Sequence, residues 1–254
     1  MTYCVAMRLD AGMVFLSDSR TNAGVDHINT FRKMNFFERR GERVLVLMTA
    51  GNLAITQSLV SRLREAMDDP NAPVSLWSVP TLFEAACHVG EVLRTVYRHD
   101  GSALREFGID FNASVLLGGQ ILGEPPRLFS IYSAGNFIEA TPDTPYFQIG
   151  ESKYGKPIID RVLSSRTSLE EATKLALISM DSTIRSNLSV GLPLDLAILH
   201  ADELAVGSWA NIDEDDSYFA MIRARWGNAL RTAFEALPDP DELLSGKGSS
   251  PPGQ

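Results

Sequence analysis

Thr2 is the residue near the start of the chain whose chemistry depends most on its position. It directly follows Met1, and a second residue as small as threonine lets aminopeptidases remove an initiator methionine. Excision would make Thr2 the first residue, with a hydroxyl nucleophile and an α-amine whose ordinary pKa is about 7.7 to 8.0. Such an amine can accept the hydroxyl proton near neutral pH, so one residue would supply both the nucleophile and its base.

Asp18 and Lys33 are the two charged residues that would support this nucleophile. Each of the three has a simpler interpretation when taken alone, because threonine is common in strands, aspartate caps turns and lysine is usually solvated. Together they form a nucleophile with a nearby cation, and a carboxylate that would hold the cation in place. The hypothesis of a catalytic site therefore depends on all three residues at once.

The chain resembles the proteasome β-subunit family over roughly residues 2–210. The resemblance is carried by Thr2, Asp10-Ala11-Gly12 between two predicted strands, Asp18-Ser19-Arg20, Ala23-Gly24 and Lys33. Within that family, the segments SDSRTNAGVDHI and MDSTIRSNLSVGLPLDL are most similar to the bacterial Anbu branch, the ancestral β-subunit.

This resemblance implies a threonine-type peptidase without a cofactor, in which Thr2 Oγ attacks a peptide carbonyl. Lys33 would lower the pKa of the nucleophilic centre and Asp18 would keep Lys33 charged and oriented. The backbone N–H of Gly51 would stabilise the oxyanion. Asp181 matches the family's second acidic residue, which lies in a helix.

The resemblance also implies a substrate pocket formed by Thr21, Phe31, Thr49 and Leu53. Because an unpaired buried charge is costly, we expect this pocket to prefer hydrophobic side chains. The implied partners are a peptide or unfolded-protein substrate, further copies of the chain in a self-compartmentalised homo-oligomer, and an unidentified ATPase or activator.

Three positions depart from the family pattern. Gly150-Glu151-Ser152 stands where many relatives have Gly-Ser-Gly, so either Glu151 or Ser152 could occupy the place of a site serine. The serine expected after Asp181 could be Ser186 or Ser189. Lys33 is one residue closer to Thr2 than in most relatives.

The composition restricts the partners and the compartment. A net charge of −9 argues against nucleic-acid and anionic-membrane partners, since both need a basic surface. Two cysteines are too few for a disulfide framework, and the four histidines show no metal-ligand spacing. No apolar run is long enough to span a bilayer and no signal peptide is evident, so the prediction is a cytoplasmic protein without a metal site.

Hydrophobic patterning and turn residues predict an α+β chain. The predicted strands are 3–9, 13–17, 29–37, 43–49, 111–117, 127–133, 137–140, 146–149, 194–200 and 204–209. Helices are predicted over 53–67, from Thr81 to just before Gly101, from Pro157, from the Ser168 and Glu171 capping box to about Asn187, and over 218–237. Gly118-Gly119 is predicted to be a turn.

The resemblance makes this pattern a four-layer αββα sandwich of the N-terminal nucleophile hydrolase type, with an extra C-terminal helix. We expect one domain over 2–237 and a tail without fixed structure over 238–254. Two rival functions stay open, namely a catalytically idle assembly scaffold and a small-molecule amidohydrolase. A closed pocket would favour the amidohydrolase and an open groove would favour peptides.

Overall fold

The computed structural model describes residues 2–22 and 28–240, without the side chains of 21–22 and 28–29. Ala23 and Gly24, most of the predicted tail and the side chain of Thr21 therefore lie outside the described residues. The chain divides into two compact units between Asp216 and Ser217. Each unit is described by itself, and a single domain over 2–237 stays a prediction.

The first unit holds twelve strands and four helices in its described residues. The strands are β1 (Tyr3–Leu9), β2 (Gly12–Asp18), β3 (Arg20–Asn22), β4 (Ile28–Thr30), β5 (Met34–Arg39), β6 (Arg43–Gly51), β7 (Ala113–Ile121), β8 (Arg127–Ile131), β9 (Phe137–Glu139), β10 (Tyr146–Gly150), β11 (Leu194–His200) and β12 (Ser208–Ile212). The helices are α1 (Leu53–Asp68), α2 (Leu82–Glu106), α3 (Lys156–Val162) and α4 (Leu169–Ser186).

Two antiparallel five-stranded sheets pack face to face in this unit. The first has the order β10-β1-β2-β11-β12 and the second has the order β5-β6-β7-β8-β9, while β3 and β4 pair separately. Alternate residues of both sheets point into one apolar layer, which includes Ala6 and Phe15 from the first sheet and Val46, Met48 and Leu116 from the second. Removing such side chains from water contributes about 1.5–3 kcal/mol for each large one.

The helices cover the outer faces of the two sheets. Leu59 and Leu63 of α1 and Val89 and Leu93 of α2 are buried in a second apolar cluster with residues of the second sheet such as Leu117. On the other side, α4 packs against β1 and β2, and α3 packs against α4. The α+β class and the predicted αββα sandwich are confirmed.

The β1–β2 hairpin brings Thr2 and Asp18 to the same end of the first sheet. Leu9 pairs with Gly12 at the turn, and Cys4 pairs with Ser17 near the open end. The hairpin predicted from the Asp10-Ala11-Gly12 turn is confirmed.

The strand predicted over 29–37 is instead two elements, because residues 31–33 leave the pairing. β4 ends at Thr30 and β5 begins at Met34. In the gap, the Phe31 N–H donates to the Ser19 carbonyl at 2.9 Å and the Lys33 carbonyl accepts from Thr49 N at 3.0 Å. This break places Lys33 between the two sheets' ends, where it can reach Asp18.

The strand predicted over 204–209 is displaced towards the C-terminus. β12 covers Ser208–Ile212, and the residues before it form a turn in which Asp202 and Leu204 have φ of 68° and 48°. Positive φ is incompatible with an extended strand, so the pairing with β11 begins only after this turn.

Two glycine predictions are wrong. α2 continues through Gly101, which is buried. The Tyr97 ring occupies the space that a side chain at position 101 would need. Gly118 and Gly119 lie inside β7 and not in a turn. A Cβ on Gly118 would be 2.7 Å from Met13 Cε, so the glycine allows the two sheets to approach each other.

The second unit contains the extra C-terminal helix that was predicted, α5 (Ser217–Glu235). Of its predicted apolar stripe, Phe219 and Ile222 are buried and Trp226 is half-buried. Leu230 and Phe234, in the second half of the stripe, are 52% and 76% exposed among the described residues.

Candidate functional site

A buried ion pair between Lys33 and Asp18 is the centre of the candidate site. Lys33 Nζ lies 2.7 Å from Asp18 Oδ1 and donates a second hydrogen bond, also of 2.7 Å, to the carbonyl of Arg20. The side chains are 7% and 0% exposed, respectively. Asp18 is the last residue of β2, and Lys33 directly precedes β5, so the pair joins the ends of the two sheets.

Burial disfavours the charged form of Asp18, and hydrogen-bond donors oppose this effect. Burial raises the pKa of the Asp18 carboxyl, because its surroundings cannot solvate the anion. The Lys33 ammonium and the backbone N–H of Tyr3 act in the opposite direction. Both bond to Oδ1, and no described residue bonds to Oδ2. Lys33 is therefore the main group that stabilises the carboxylate.

Backbone contacts on both sides fix Thr2 beside this pair. The Tyr3 N–H donates to Asp18 Oδ1 at 3.0 Å, and the Thr2 carbonyl accepts from the Glu151 N–H at 2.7 Å. Gly150, at the end of β10, has φ of +81°, and a Cβ there would be 1.9 Å from the Thr2 carbonyl oxygen. Only glycine fits this approach without displacing Thr2.

An open cleft of about 1130 Å³ begins at Thr2 and runs between β5 and α1. The predicted site residues that line it are Thr2, Phe31, Lys33, Thr49, Gly51 and Leu53. With Asp18, which pairs with Lys33, the structure thus brings together seven of the nine residues predicted for the site. Thr21 cannot be placed in it, because its side chain is outside the described residues.

Gly51 is the last residue of β6 and precedes the N-terminus of α1. It has φ of +112°, and a Cβ there would be 2.4 Å from the Asn112 carbonyl oxygen. Asn52 caps α1 by accepting a hydrogen bond from Ala54 N at 3.0 Å. A helix N-terminus carries partial positive charge, so this end of the cleft favours a developing oxyanion.

Asp181 is placed differently from the other candidates. It lies on α4, is 1% exposed, and accepts a hydrogen bond from Arg185 Nε at 2.9 Å. It is not among the described residues that line the cleft. Asp18 and Asp181 are thus both buried carboxylates, and the direct contact with Lys33 is made by Asp18.

Glu151 is one of the two residues, with Ser152, that could occupy the place of the family's site serine. It is buried, and its Oε2 accepts from Asn187 Nδ2 at 2.9 Å. Asn187 Oδ1 in turn accepts from the Ser189 N–H at 2.9 Å. Among residues 186–189, the described side-chain contact with Glu151, whose N–H bonds to the Thr2 carbonyl, is thus made by Asn187. The side chains of Ser186 and Ser189 do not make it.

Asp195 is a cleft residue that the sequence analysis missed. It lies in β11, is 1% exposed, and accepts hydrogen bonds from Ser19 Oγ at 2.9 Å and Asn211 Nδ2 at 3.0 Å. The signal available in the sequence was an aspartate between two leucines in a predicted strand, since a buried strand acid needs donors nearby.

Tyr3 is a second missed residue. Its ring is fully buried next to Thr2, and its hydroxyl bonds with Ser179 Oγ of α4 and accepts from Gln148 Nε2 of β10. Burial raises the pKa of the Tyr3 hydroxyl, so it remains a neutral anchor. The tyrosine therefore ties the residue after Thr2 to the helix layer.

Neither a metal site nor a membrane span is found in the part of the chain that the structure describes. No cluster of three or more histidine, cysteine or acidic side chains there could bind a metal ion. The helices there are too short or too polar to cross a bilayer.

Comparison with known proteins identifies the family. The chain is 58% identical to Anbu (ancestral beta-subunit) from Yersinia bercovieri, with a TM-score of 0.88 over 94% of this chain and 98% of that one. It is 52% identical to the protein in the helical assembly of the Anbu complex from Pseudomonas aeruginosa, with a TM-score of 0.89 over 94% and 98%.

A more distant relative is proteasome subunit beta 2 of Nitrosopumilus maritimus (strain SCM1). It is 25% identical over 211 residues, which are 79% of this chain and 87% of that protein. No family model matches the chain. With more than half of its residues identical to solved relatives over nearly its whole length, the chain belongs to the Anbu family of proteasome-type β-subunits.

Proposed function

We propose that this chain is a threonine peptidase in which Thr2, freed of Met1, is the nucleophile. The observation that carries the proposal is the position of Asp18 Oδ1, which accepts from Lys33 Nζ and from the N–H of the residue after Thr2. One carboxylate oxygen thereby holds the Lys33 ammonium and the backbone next to Thr2 in fixed positions relative to each other. Such preorganisation is what nucleophilic catalysis requires.

The steps follow from the groups that line the cleft. The Thr2 α-amine takes the proton of Oγ, Oγ forms a bond to the substrate carbonyl carbon, and the carbonyl oxygen becomes an oxyanion. The amine then returns the proton to the leaving nitrogen, the carbonyl re-forms and the peptide C–N bond breaks. Lys33 favours the anionic form of Oγ by its charge. The Gly51 N–H would stabilise the oxyanion, a contribution worth about 3 kcal/mol in comparable sites. Water then hydrolyses the acyl intermediate and restores Thr2.

Peptides suit the cleft better than small molecules do. The cleft is an open groove along α1, and its volume of about 1130 Å³ exceeds the range of roughly 300–1000 Å³ in which small-molecule sites commonly fall. A strand-like peptide can lie in such a groove. The small-molecule amidohydrolase is therefore the weaker alternative.

We further propose that the peptidase works as a cytoplasmic homo-oligomer that controls access to Thr2. The support is the helical assembly formed by the Pseudomonas aeruginosa relative. An ATPase or activator that unfolds substrates would fit such an assembly, and its identity is open.

The rival with a specific observation behind it is an idle scaffold of the same fold. Glu151 is one of two residues that could take the place of the family's site serine; its backbone N–H donates to the Thr2 carbonyl and its side chain is buried. An anion in place of a hydroxyl would weaken the effect of Lys33 on the nucleophile.

Intact mass spectrometry with a peptide vinyl sulfone tests the proposal. We expect purified active protein to lack Met1 and to gain the mass of one probe per chain. Thr2→Ala is the matched control, because alanine also permits methionine removal and keeps the free amine while removing the hydroxyl. It should gain no probe. Full activity with Met1 retained, or equal labelling of Thr2→Ala, would contradict the mechanism, and removal of Met1 without labelling or turnover would favour the scaffold.

A further inference from the structure

The wall of the cleft formed by α1 is mostly polar. Six residues of α1 line it at helical spacing, and only two of them are aliphatic: Leu53, Thr56, Gln57, Val60, Ser61 and Arg64. Residues at positions i, i+3, i+4, i+7, i+8 and i+11 form one continuous helix face. The hydrophobic pocket expected from Thr21, Phe31, Thr49 and Leu53 therefore accounts for only part of the cleft lining.

Arg64 stands further along this face and reaches across to the opposite wall. Its Nη2 donates to Asn35 Oδ1 at 2.9 Å. Asn35 pairs with Leu47, two residues before Thr49 on β6, which is roughly 7 Å along the strand. The guanidinium is thus held within reach of a peptide side chain that enters the cleft beside Thr49.

Arg32 adds a second cation to the same cleft. It lines the opening, with its guanidinium carbon 5.2 Å from the centre of the Trp209 ring. Among the described residues, no carboxylate forms an ion pair with Arg32 or Arg64. An arginine with spare donors in a cleft is suited to bind a carboxylate.

The remaining charges of the cleft offset only one of these two. Lys33 and Asp18 form an ion pair, so together they add no net charge to the opening. Asp195 is the one carboxylate among the described lining residues, and its hydrogen-bond donors Ser19 and Asn211 are neutral. The cleft therefore keeps a positive balance in a chain whose net charge is −9, a local reversal that the overall composition conceals.

We propose that the cleft selects peptides with an acidic side chain on the N-terminal side of the cleaved bond, with Arg64 and Arg32 as the recognition residues. This inference rests on the proposed peptidase function of the same site. It replaces a general preference for hydrophobic residues by a mixed one, in which an apolar contact near Thr49 is followed by a carboxylate contact at Arg64. The carboxylate would take Arg64 donors that Asn35 leaves unused.

The test compares fluorogenic peptides that differ only by Glu or Gln, placed in turn at each of the four positions before the cleaved bond. At one position we expect wild-type protein to prefer Glu about tenfold in kcat/KM, which corresponds to about 1.4 kcal/mol. Arg64→Gln should bring that ratio close to one. The matched control is Arg98→Gln on α2, an exposed arginine paired with Glu91 outside the cleft, and it should keep the wild-type ratio.

A binding measurement separates this inference from the proposed function. Fluorescence anisotropy would report the affinity of labelled Glu and Gln peptides for Thr2→Ala, with and without Arg64→Gln. If the Glu peptide binds more tightly and this depends on Arg64, the inference is supported even when wild-type protein cleaves nothing. Absence of cleavage would contradict only the proposed peptidase. Cleavage without a preference for Glu over Gln at any position, or equal binding of both peptides, would overturn the inference. The proposed peptidase function would then be decided by the probe-labelling experiment alone.

Discussion

Asp18 shows how a single oxygen can organise a site. Its Oδ1 accepts from Lys33 Nζ and from Tyr3 N, whereas its Oδ2 is buried without a described partner. Removing one member of a buried ion pair leaves the other uncompensated and costs about 3–5 kcal/mol. Without Lys33 the pKa of the Asp18 carboxyl would rise further, since burial already raises it and the ammonium opposes that shift. The two residues therefore depend on each other for charge and for orientation.

The first prediction concerns these two residues. Lys33→Met and Asp18→Asn keep approximate shape but remove charge, so each should lower kcat on a cleaved peptide at least a thousandfold, about 4 kcal/mol. Light scattering should show an assembly of nearly unchanged mass. Lys174→Met, at an exposed position of α4, is the control and should behave as wild type. Asp18→Asn with most of its activity would show that the assigned role of Asp18 is wrong.

A second prediction concerns Gly150. Gly150→Ala should lower peptidase activity about a hundredfold, because the new Cβ would overlap the Thr2 carbonyl and move the nucleophile by about 1 Å. Its φ of +81° adds strain of about 1–2 kcal/mol.

Gly41→Ala is the matched control for that strain. Gly41 has φ of +78°, and nothing lies within 4 Å of the position of a Cβ there. It should lower the Tm by the strain alone and leave activity unchanged. Equal activities of the two variants would rule out crowding at Thr2 as the role of Gly150.

At the scale of elements, the sequence predicted most accurately those features that residues close together in the chain determine. The Ser168 and Glu171 capping box is confirmed in both directions and begins α4 at Leu169. Caps depend on residues three apart, so local sequence determines them. The turn predicted at Gly118 is wrong for the opposite reason. The neighbour that requires a glycine there is Met13, which lies in the other sheet.

The same distinction applies to the candidate site. Thr2, Asp18 and Lys33 could be predicted because one hairpin and the following segment position them. Asp195 and Arg64 depend on a distant strand pairing and on which face of α1 meets the cleft. No local signal identifies either of these without the arrangement of the sheets.

A third prediction tests the close approach of the two sheets. Gly118→Ala should lower stability by about 1–3 kcal/mol, the usual cost of an overpacked core, because its Cβ would meet Met13 and Phe15 at 2.7 and 2.9 Å. Gly227→Ala in α5 has open space around the added Cβ and should raise stability by about 0.5–1 kcal/mol. Thermal unfolding of both variants would provide the comparison, and an unchanged Tm for Gly118→Ala would contradict the packing argument.

For the whole molecule, the exposed side chains of the second unit indicate a surface that assembly would cover. Leu230 and Phe234 of α5 and Leu237 just after it are 52%, 76% and 68% exposed, and such a group of exposed apolar residues favours an interface. A proteasome-type subunit that assembles has a use for this surface.

The fourth prediction is that α5 contributes to the oligomer. A chain that ends at Asp216 should keep the sandwich, because residues up to Asp216 form a compact unit, and should show a smaller particle mass. Light scattering and peptide hydrolysis would be read together on the same preparations. An unchanged mass would show that α5 makes no essential interface, while a monomeric wild-type protein would overturn the assembly and the idea of controlled access.

The topology of the first sheet has a consequence for the order of events during synthesis. The residues that form the Lys33 and Asp18 pair are made first, but β1 needs β10 and β2 needs β11, which ends at His200. At about 5–20 residues per second, ribosomes need roughly 10–40 s to reach that point. During this interval the nascent hairpin has two open edges and Thr2 has no cleft. The candidate site is therefore incomplete on the growing chain, and both edges of the hairpin stay available for pairing with other strands until β10 and β11 are made.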